Sequence, residues 1–130
     1  MRYLLDTHTF AWAIGDPSQL GAVAADLLRD VGNELLVSPV SVWELSIKHH
    51  LGKWPAVAPF MDERLYESFT DRLGTKELVV QTSHARLAGQ FHVAHADPFD
   101  RLLASQSLLE GATLISKDAA FDLFPIDRVW

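Results

Sequence analysis

Cysteine is absent from the 130 residues. That removes disulfide frameworks, thiolate nucleophiles and Cys-bound metal sites together. No apolar run approaches the roughly 20 residues that a membrane helix needs. The N-terminal stretch has no basic segment followed by an apolar run and a small-residue cleavage site, so a soluble, cytoplasmic protein without a membrane partner is expected. No glycine-rich phosphate loop occurs, and no Gly-x-Ser-x-Gly elbow supports a Ser-His-Asp triad. His92 and His95, and the adjacent His49 and His50, lack the further ligands at sensible spacing that zinc would want. Repeats, low-complexity tracts and linker-like composition shifts are also missing. Residues 1–130 therefore read as one domain, with 48% hydrophobic content to fill its core.

A basic excess is missing too: 11 Lys and Arg stand against 17 Asp and Glu, a net charge of −6. A nucleic-acid partner usually leaves a basic footprint. Placement matters more than the total, however. Four acids gathered at one metal site leave a net of only −2 elsewhere, and bound cations would offset part of the cluster. RNA is therefore not excluded.

What is present is an alternation of short apolar runs with helical periodicity. Tyr3–Leu5 reads as a buried strand ending at Asp6. From Leu20, the residues Val23, Ala24, Leu27, Leu28 and Val31 follow an amphipathic helix stopped by Gly32 and Asn33. Leu35–Val37 is a second strand, and Val40, Trp43, Ile47 and Leu51 mark a helix closing at Gly52. After a turn at Trp54-Pro55, the residues Met61, Leu65, Phe69 and Leu73 predict another helix before Gly74. Leu78–Val80 is read as strand three, Ser83 to about Gly89 as a short helix, and Pro98 to about Glu110 as a longer one. Thr113–Ile115 and Ile126–Val129 complete the set. Such alternation implies βαβ units, hence a mostly parallel sheet with helices on both faces.

On that reading Asp6 follows strand one, Glu44 lies in the first turn of the helix after strand two, Asp100 opens the helix before strand four, and Asp118 follows strand four. The carboxyl ends of parallel strands and the adjacent helix starts share one crevice, so these distant acids converge there. Uncompensated carboxylates would repel one another, and a divalent cation removes that conflict. Mg2+ and Mn2+ favour oxygen ligands and keep several waters. The chemistry implied is metal-assisted phosphodiester hydrolysis. Each acid also has a plain structural alternative, except that Asp6 at the end of a buried strand has little structural reason to be there. Ser41-Val42-Trp43-Glu44 is a capping-box pattern, Asp97-Pro98 is a helix N-cap and first-position proline, Asp100 suits the helix dipole, and Asp118 could cap a turn.

The motifs resemble a known family. Leu4-Leu5-Asp6-Thr7-His8-Thr9 is similar to the opening motif of PIN-domain nucleases, particularly VapC-type toxins of bacterial toxin–antitoxin pairs. Ser38 to Lys48 resembles the second motif, with Glu44 as its acid, and Gly52-Lys53 follows as in one branch of the family. His95 to Ala104 resembles the third, and Leu114-Ile115-Ser116-Lys117-Asp118 the fourth. The match spans nearly the whole chain in order. It implies a three-layer α/β/α fold with a five-stranded, mostly parallel sheet, a Mg2+ site with Mn2+ as the alternative ion, and endoribonuclease activity. Carried over by position, Asp6 and Asp100 are the direct ligands. Glu44 and Asp118 hold ligand waters or a second ion. Asp97 competes with Asp100 in the third motif and is assigned as N-cap or supporting acid. Ser116 stands where Thr is common and would orient a carboxylate or a water, as would Thr7 and Thr9. Ala96 departs from the branch, where a basic residue is frequent, so one phosphate contact is in doubt.

Lys48, Lys53, Arg86, Arg101 and Lys117 are the candidates for RNA contact, with Lys48 and Arg101 preferred because they lie nearest Glu44 and Asp100. Phe10, Trp12 and Trp43 are either core or an apolar surface for a partner. The resemblance implies a homodimeric toxin held in check by a cognate antitoxin. The alternative is a PIN nuclease of RNA maturation or turnover without an antitoxin. A response-regulator module fails, because Asp6 stands alone and the predicted third strand runs into Gln81-Thr82-Ser83 with no phosphoacceptor Asp.

Overall fold

In the computed structural model, which describes residues 1–130, five strands form one sheet: β1 (Arg2–Leu5), β2 (Glu34–Val37), β3 (Thr75–Glu77), β4 (Thr113–Ile115) and β5 (Arg128–Val129). Their order is β3-β2-β1-β4-β5, and every neighbouring pair is parallel. The six helices are α1 (Thr7–Gly15), α2 (Ala22–Arg29), α3 (Pro39–His50), α4 (Glu63–Leu73), α5 (Thr82–Gln90) and α6 (Pro98–Glu110). The predicted α/β class with a parallel sheet holds.

Alternation along the central strands separates two apolar layers. Tyr3, Leu5, Leu35, Val37 and Ile115 pack with Phe10, Leu45 and Phe60 on one face. Leu4, Leu36 and Leu114 pack with Leu103, Ala104 and Phe121 on the other. β1 is therefore buried on both faces, which is why its sequence reads as an unbroken apolar run.

Several boundaries differ from the sequence reading, each for a physical reason. α2 ends at Arg29, and Val31, assigned to its apolar stripe, is fully exposed in the following turn. The stripe read along α3 is rotated: Trp43 and Leu51 are exposed, whereas Val40, Ser41 and Leu45 face inward. Helix α1 has no counterpart in the sequence reading. It buries Thr7, Thr9, Phe10 and Ala11, a mixture of polar and small residues that masks any apolar period. Strand three is Thr75–Glu77, not Leu78–Val80. An edge strand exposes its rim and tolerates charged residues. Leu78 anchors the chain just beyond it, donating its N–H to Val37 O, while Val79 and Val80 are exposed. The last strand covers only Arg128–Val129 of the predicted Ile126–Val129. α6 matches its prediction from Pro98 to Glu110, closed by Gly111 at φ 61°, a left-handed position that favours glycine.

The two-layer core makes a direct prediction. Leu4 and Leu5 are adjacent but enter opposite layers, and both are fully buried. Leu4→Ala and Leu5→Ala should each lower the unfolding free energy by about 2–5 kcal/mol in urea titrations. A loss below about 1 kcal/mol in either variant would contradict burial on that face.

Candidate active site

At the carboxyl edge of the sheet, the chain passes from β1 to β2 on one side and returns to β4 on the other. β1 and β4 therefore flank a switch point, the place where open parallel sheets form a crevice. Asp6 leaves β1 there and Ser116 leaves β4. Asp6, Glu44, Asp97, Asp100 and Asp118 line one crevice of about 160 Å3, together with His8, Lys48 and Phe121. The predicted convergence of the acids is what the fold produces.

Each acid is held differently. Asp6 is 6% exposed and caps α1: its Oδ1 accepts the Thr9 N–H at 2.8 Å. Its Oδ2 accepts the Ser116 hydroxyl at 2.5 Å. Asp6 thus has a structural role that the sequence reading did not give it. Burial pushes its carboxyl above the ordinary value, against the lowering pull of the Ser116 and Thr9 bonds. Glu44 lies in the second turn of α3, because the helix starts at Pro39 with Ser38 as N-cap. The predicted capping box from Ser41 therefore does not form. Glu44 Oε1 instead accepts the Thr7 hydroxyl at 2.8 Å, and its Oε2 pairs with Lys48 Nζ at 2.9 Å.

Asp100 occupies the first turn of α6, its Oδ2 2.7 Å from His95 Nε2. Burial first, then the charges of Asp97 and Glu44, raise its carboxyl to about 6, with the His95 contact opposing. Asp97 is the N-cap of α6, accepting the N–H groups of Phe99 and Asp100 at 2.9 and 3.1 Å. Asp118 is exposed and caps the 3-10 turn Ala119–Leu123, accepting the Ala120 N–H at 2.9 Å.

The supporting hydroxyls divide. Ser116 donates to Asp6 and accepts the Asp118 N–H at 3.0 Å, linking two acids through one oxygen. Its own carbonyl is held by Arg128, which is clamped in turn by Asp122. Thr7 orients Glu44. Thr9 does not orient an acid through its hydroxyl, which donates to Ile115 O at 2.8 Å and is spent on joining α1 to β4.

Of the two preferred RNA-contact candidates, Lys48 remains at the crevice. Arg101 does not. Its guanidinium donates to the carbonyls of Ala88, Phe91, Val93 and His95, at 2.7, 2.7, 3.1 and 3.0 Å. Five donors in a rigid fork suit such a task. Arg101 fastens the irregular segment 91–95 to α6, and that segment carries His95 to Asp100. Nothing in local sequence distinguishes a phosphate-binding arginine from one that satisfies loop carbonyls. His8, unassigned by sequence reasoning beyond its motif, lines the crevice, and burial first and Lys48 second lower its basicity.

The donor set suits a divalent oxygen-seeking cation. No lysine or arginine forms an ion pair with Asp6 or Asp100, although burial raises the cost of charging both. No three His or acidic side chains gather tightly enough to hold an ion by themselves. One or two direct carboxylates supplemented by waters is the habit of Mg2+, so the arrangement fits.

The PIN domain family model matches residues 3–126. VapBC2 from Rickettsia felis, solved bound to a DNA fragment from its promoter, is similar at TM-score 0.67 and 18% identity, over 100% of this chain and 99% of that one. FitAcB from Neisseria gonorrhoeae is similar at TM-score 0.65 and 17% identity, over 100% and 97%. VapBC-1 from nontypeable Haemophilus influenzae gives 0.56 and 19%, over 99% and 97%. At these identities the likeness establishes a shared fold. No curated protein sequence matches the chain significantly.

The Arg101 clamp is testable. Arg101→Gln should destabilise the fold by about 2–4 kcal/mol in thermal or urea unfolding, because four carbonyls lose a charged donor. An Arg101→Gln protein of unchanged stability would contradict the clamp.

Proposed function

The chain belongs to the PIN domain family, and from that membership we propose that residues 1–130 act as one divalent-metal-dependent endoribonuclease domain, the toxin of a cytoplasmic toxin–antitoxin pair. The observation that carries the reading is the pair Asp6 and Asp100. These two carboxylates are raised by burial, face one crevice and have no lysine or arginine partner. Both titrate more easily with a cation between them and solvent than without one. The VapBC and FitAcB structures add support for a protein partner, as does the VapC-like motif series.

In this reading Asp6 and Asp100 are the direct ligands of Mg2+ or Mn2+. Glu44 and Asp118 hold water molecules around the ion or a second ion. Thr7 fixes Glu44, Ser116 fixes Asp6, and Asp97 fixes the first turn of α6 beneath Asp100. When bound, such an ion lowers the pKa of a water and neutralises charge building on the phosphate. Lys48, tethered by Glu44 at the crevice, is placed to meet a phosphate oxygen. Water adds to phosphorus, its proton passes to solvent or a carboxylate, and the bond to the leaving ribose oxygen breaks as that oxygen takes up a proton from solvent. A cognate antitoxin would act by covering the acids, and the active form is a homodimer.

Purified protein should cleave RNA only with Mg2+ or Mn2+. Asp6→Asn and Asp100→Asn should each cut the rate by about 100-fold or more. Asn still caps a helix, so Asp6→Asn should keep the fold, as circular dichroism would show. Metal-independent cleavage, or full activity in both variants, would sink the mechanism. Mapping RNA ends after brief expression, with and without the product of a neighbouring short reading frame, identifies target and antitoxin together.

A pH dependence follows from Asp100. Its folded-state value of about 6 lies above the ordinary 3.8, so the folded protein binds this proton more tightly than the unfolded chain. That contribution to stability is present below pH 3.8 and is lost as pH rises through about 6 in metal-free protein. A metal ligand must be deprotonated. The rise in Tm caused by Mg2+ should therefore grow between pH 5 and 7 and be blunted in Asp100→Asn. A Mg2+ effect independent of pH across that window would contradict Asp100 as a ligand.

A further inference from the structure

Asp6 is fixed at both carboxylate oxygens, whereas Asp100 is fixed at one. The single restraint on Asp100 is His95, whose Nε2 lies 2.7 Å from Oδ2, with both side chains largely buried. No other group donates to either oxygen. The remaining charges that act on Asp100 are those of Asp97 and Glu44, and both are negative. Arg101, the next residue along, spends its guanidinium on loop carbonyls. The terminal torsion of an aspartate is broad and has no sharp rotamer well. Helix α6 therefore places the Asp100 backbone without deciding how its carboxylate is turned. The imidazole decides it.

His95 is itself firmly seated. Its ring meets Phe124 edge-on, with centroids 5.8 Å apart and planes at 82°, and lies 6.5 Å from Phe121. Both phenylalanines are buried, and they belong to the 3-10 turn that Asp118 caps and to its end. The His95 carbonyl accepts from Arg101 at 3.0 Å. A residue needed for packing alone would serve as phenylalanine in this aromatic cluster. What phenylalanine lacks is the ring nitrogen aimed at Asp100. His95 does not line the acidic crevice, so contact with a substrate does not account for it. His92, three positions earlier, is exposed.

We propose that His95 is a positioning residue for Asp100, its Nε2–H holding the carboxylate in the orientation in which it meets a divalent cation. The proposal rests on the metal-dependent reading and adds to it a residue outside the four acids and their hydroxyl partners. A ligating carboxylate is ionised and can only accept, so Nε2 carries the proton in this pairing. Outer contacts of this kind orient the groups that touch a metal ion. The arrangement also joins two motifs. The turn capped by Asp118 supports the phenylalanines, these support His95, and His95 holds Asp100.

The test measures Mn2+ binding to the full chain without RNA, from the electron paramagnetic resonance signal of the free ion. His95→Phe keeps an aromatic ring against Phe124 and removes the donor. It should weaken Mn2+ binding by about 10- to 100-fold, while metal-free protein still melts cooperatively. His95→Gln, whose amide reaches about as far as Nε2, should recover most of the loss. In cleavage assays the Mg2+ concentration for half-maximal rate should rise in His95→Phe by a similar factor, with a smaller fall in the rate at saturating Mg2+. A readout in unaltered protein stands beside these variants. In nitrogen-15 spectra the His95 Nε2–H resonance, assigned by its absence from His95→Gln, should shift on addition of Mg2+ and stay in place in Asp100→Asn.

Wild-type affinity in a folded His95→Phe protein would overturn the proposal. So would binding by His95→Gln as weak as that of His95→Phe, because the ring and not its donor would then matter. An Nε2–H resonance unmoved by saturating Mg2+ would overturn it without recourse to any fold-sensitive variant. Failure of the wild-type protein to bind Mn2+ would remove the metal-dependent reading together with this one. Wild-type binding with an indifferent His95→Phe removes only the role of His95.

Discussion

A carboxylate buried at the end of a β-strand is costly unless its oxygens are bonded, and the active face of this protein is organised around meeting that cost at Asp6. One oxygen accepts from the first turn of α1 and the other from Ser116 at the end of β4. The two bonds tie three consecutive features of the fold together: the central strand, the helix that leaves it, and the strand that returns beside it. The backbone contact of Asp6 N with Ile115 O and the Thr9 hydroxyl on the same carbonyl reinforce the junction. A charged group is retained in a site where an apolar residue would pack more cheaply, and a waiting cation is the physical reason we offer for it.

The remaining acids are arranged by progressively weaker constraints. Glu44 is fixed at both oxygens, by Thr7 and Lys48, and so carries its own compensating charge. Asp100 has only His95, an imidazole whose place depends on a segment fastened by Arg101. Asp118 bonds a single backbone N–H and is open to solvent. The gradient from fixed and buried to loose and exposed suits a site in which one ligand is preorganised and others adjust as ions and waters enter.

What could be read from the sequence follows from how local each signal is. α6 was legible because its proline, capping aspartate and terminal glycine are all adjacent in sequence. The acids were legible because parallel strands deliver their carboxyl ends to one edge whatever their separation along the chain. α1 was not. A helix that buries threonines to hold carboxylates and joins a sheet edge shows no apolar period. The third strand was misplaced because its register is set by pairing with β2, while the apolar residues that signal a strand fall just beyond it. Arg101 was misassigned for a related reason. Its partners are carbonyls of residues 88–95, and a carbonyl leaves no trace in residue type.

The first turns of α1 send consecutive side chains to separate tasks. Asp6 turns to β4, Thr7 to Glu44 on α3, His8 to Trp54, Thr9 back to Ile115, and Trp12 joins His8 one turn on. A helix advances about 100° per residue, so four successive positions cover the full circle, and this one turn reaches the end of β4, α3 and Trp54 at once. This explains why the acid and the hydroxyl residues of the first motif are contiguous, whereas Asp97 and Asp100 of the third motif and Ser116 and Asp118 of the fourth stand apart in sequence. It also means that the acidic crevice and the aromatic surface share one rigid body. A shift of α1 large enough to part His8 from Trp54 would draw Asp6 away from Ser116, and loss of the Asp6 cap would loosen the helix carrying the rings. The buried carboxylate and the aromatic side chains beside it are in that sense one mechanical unit, built from a single turn of helix at the end of the most buried strand.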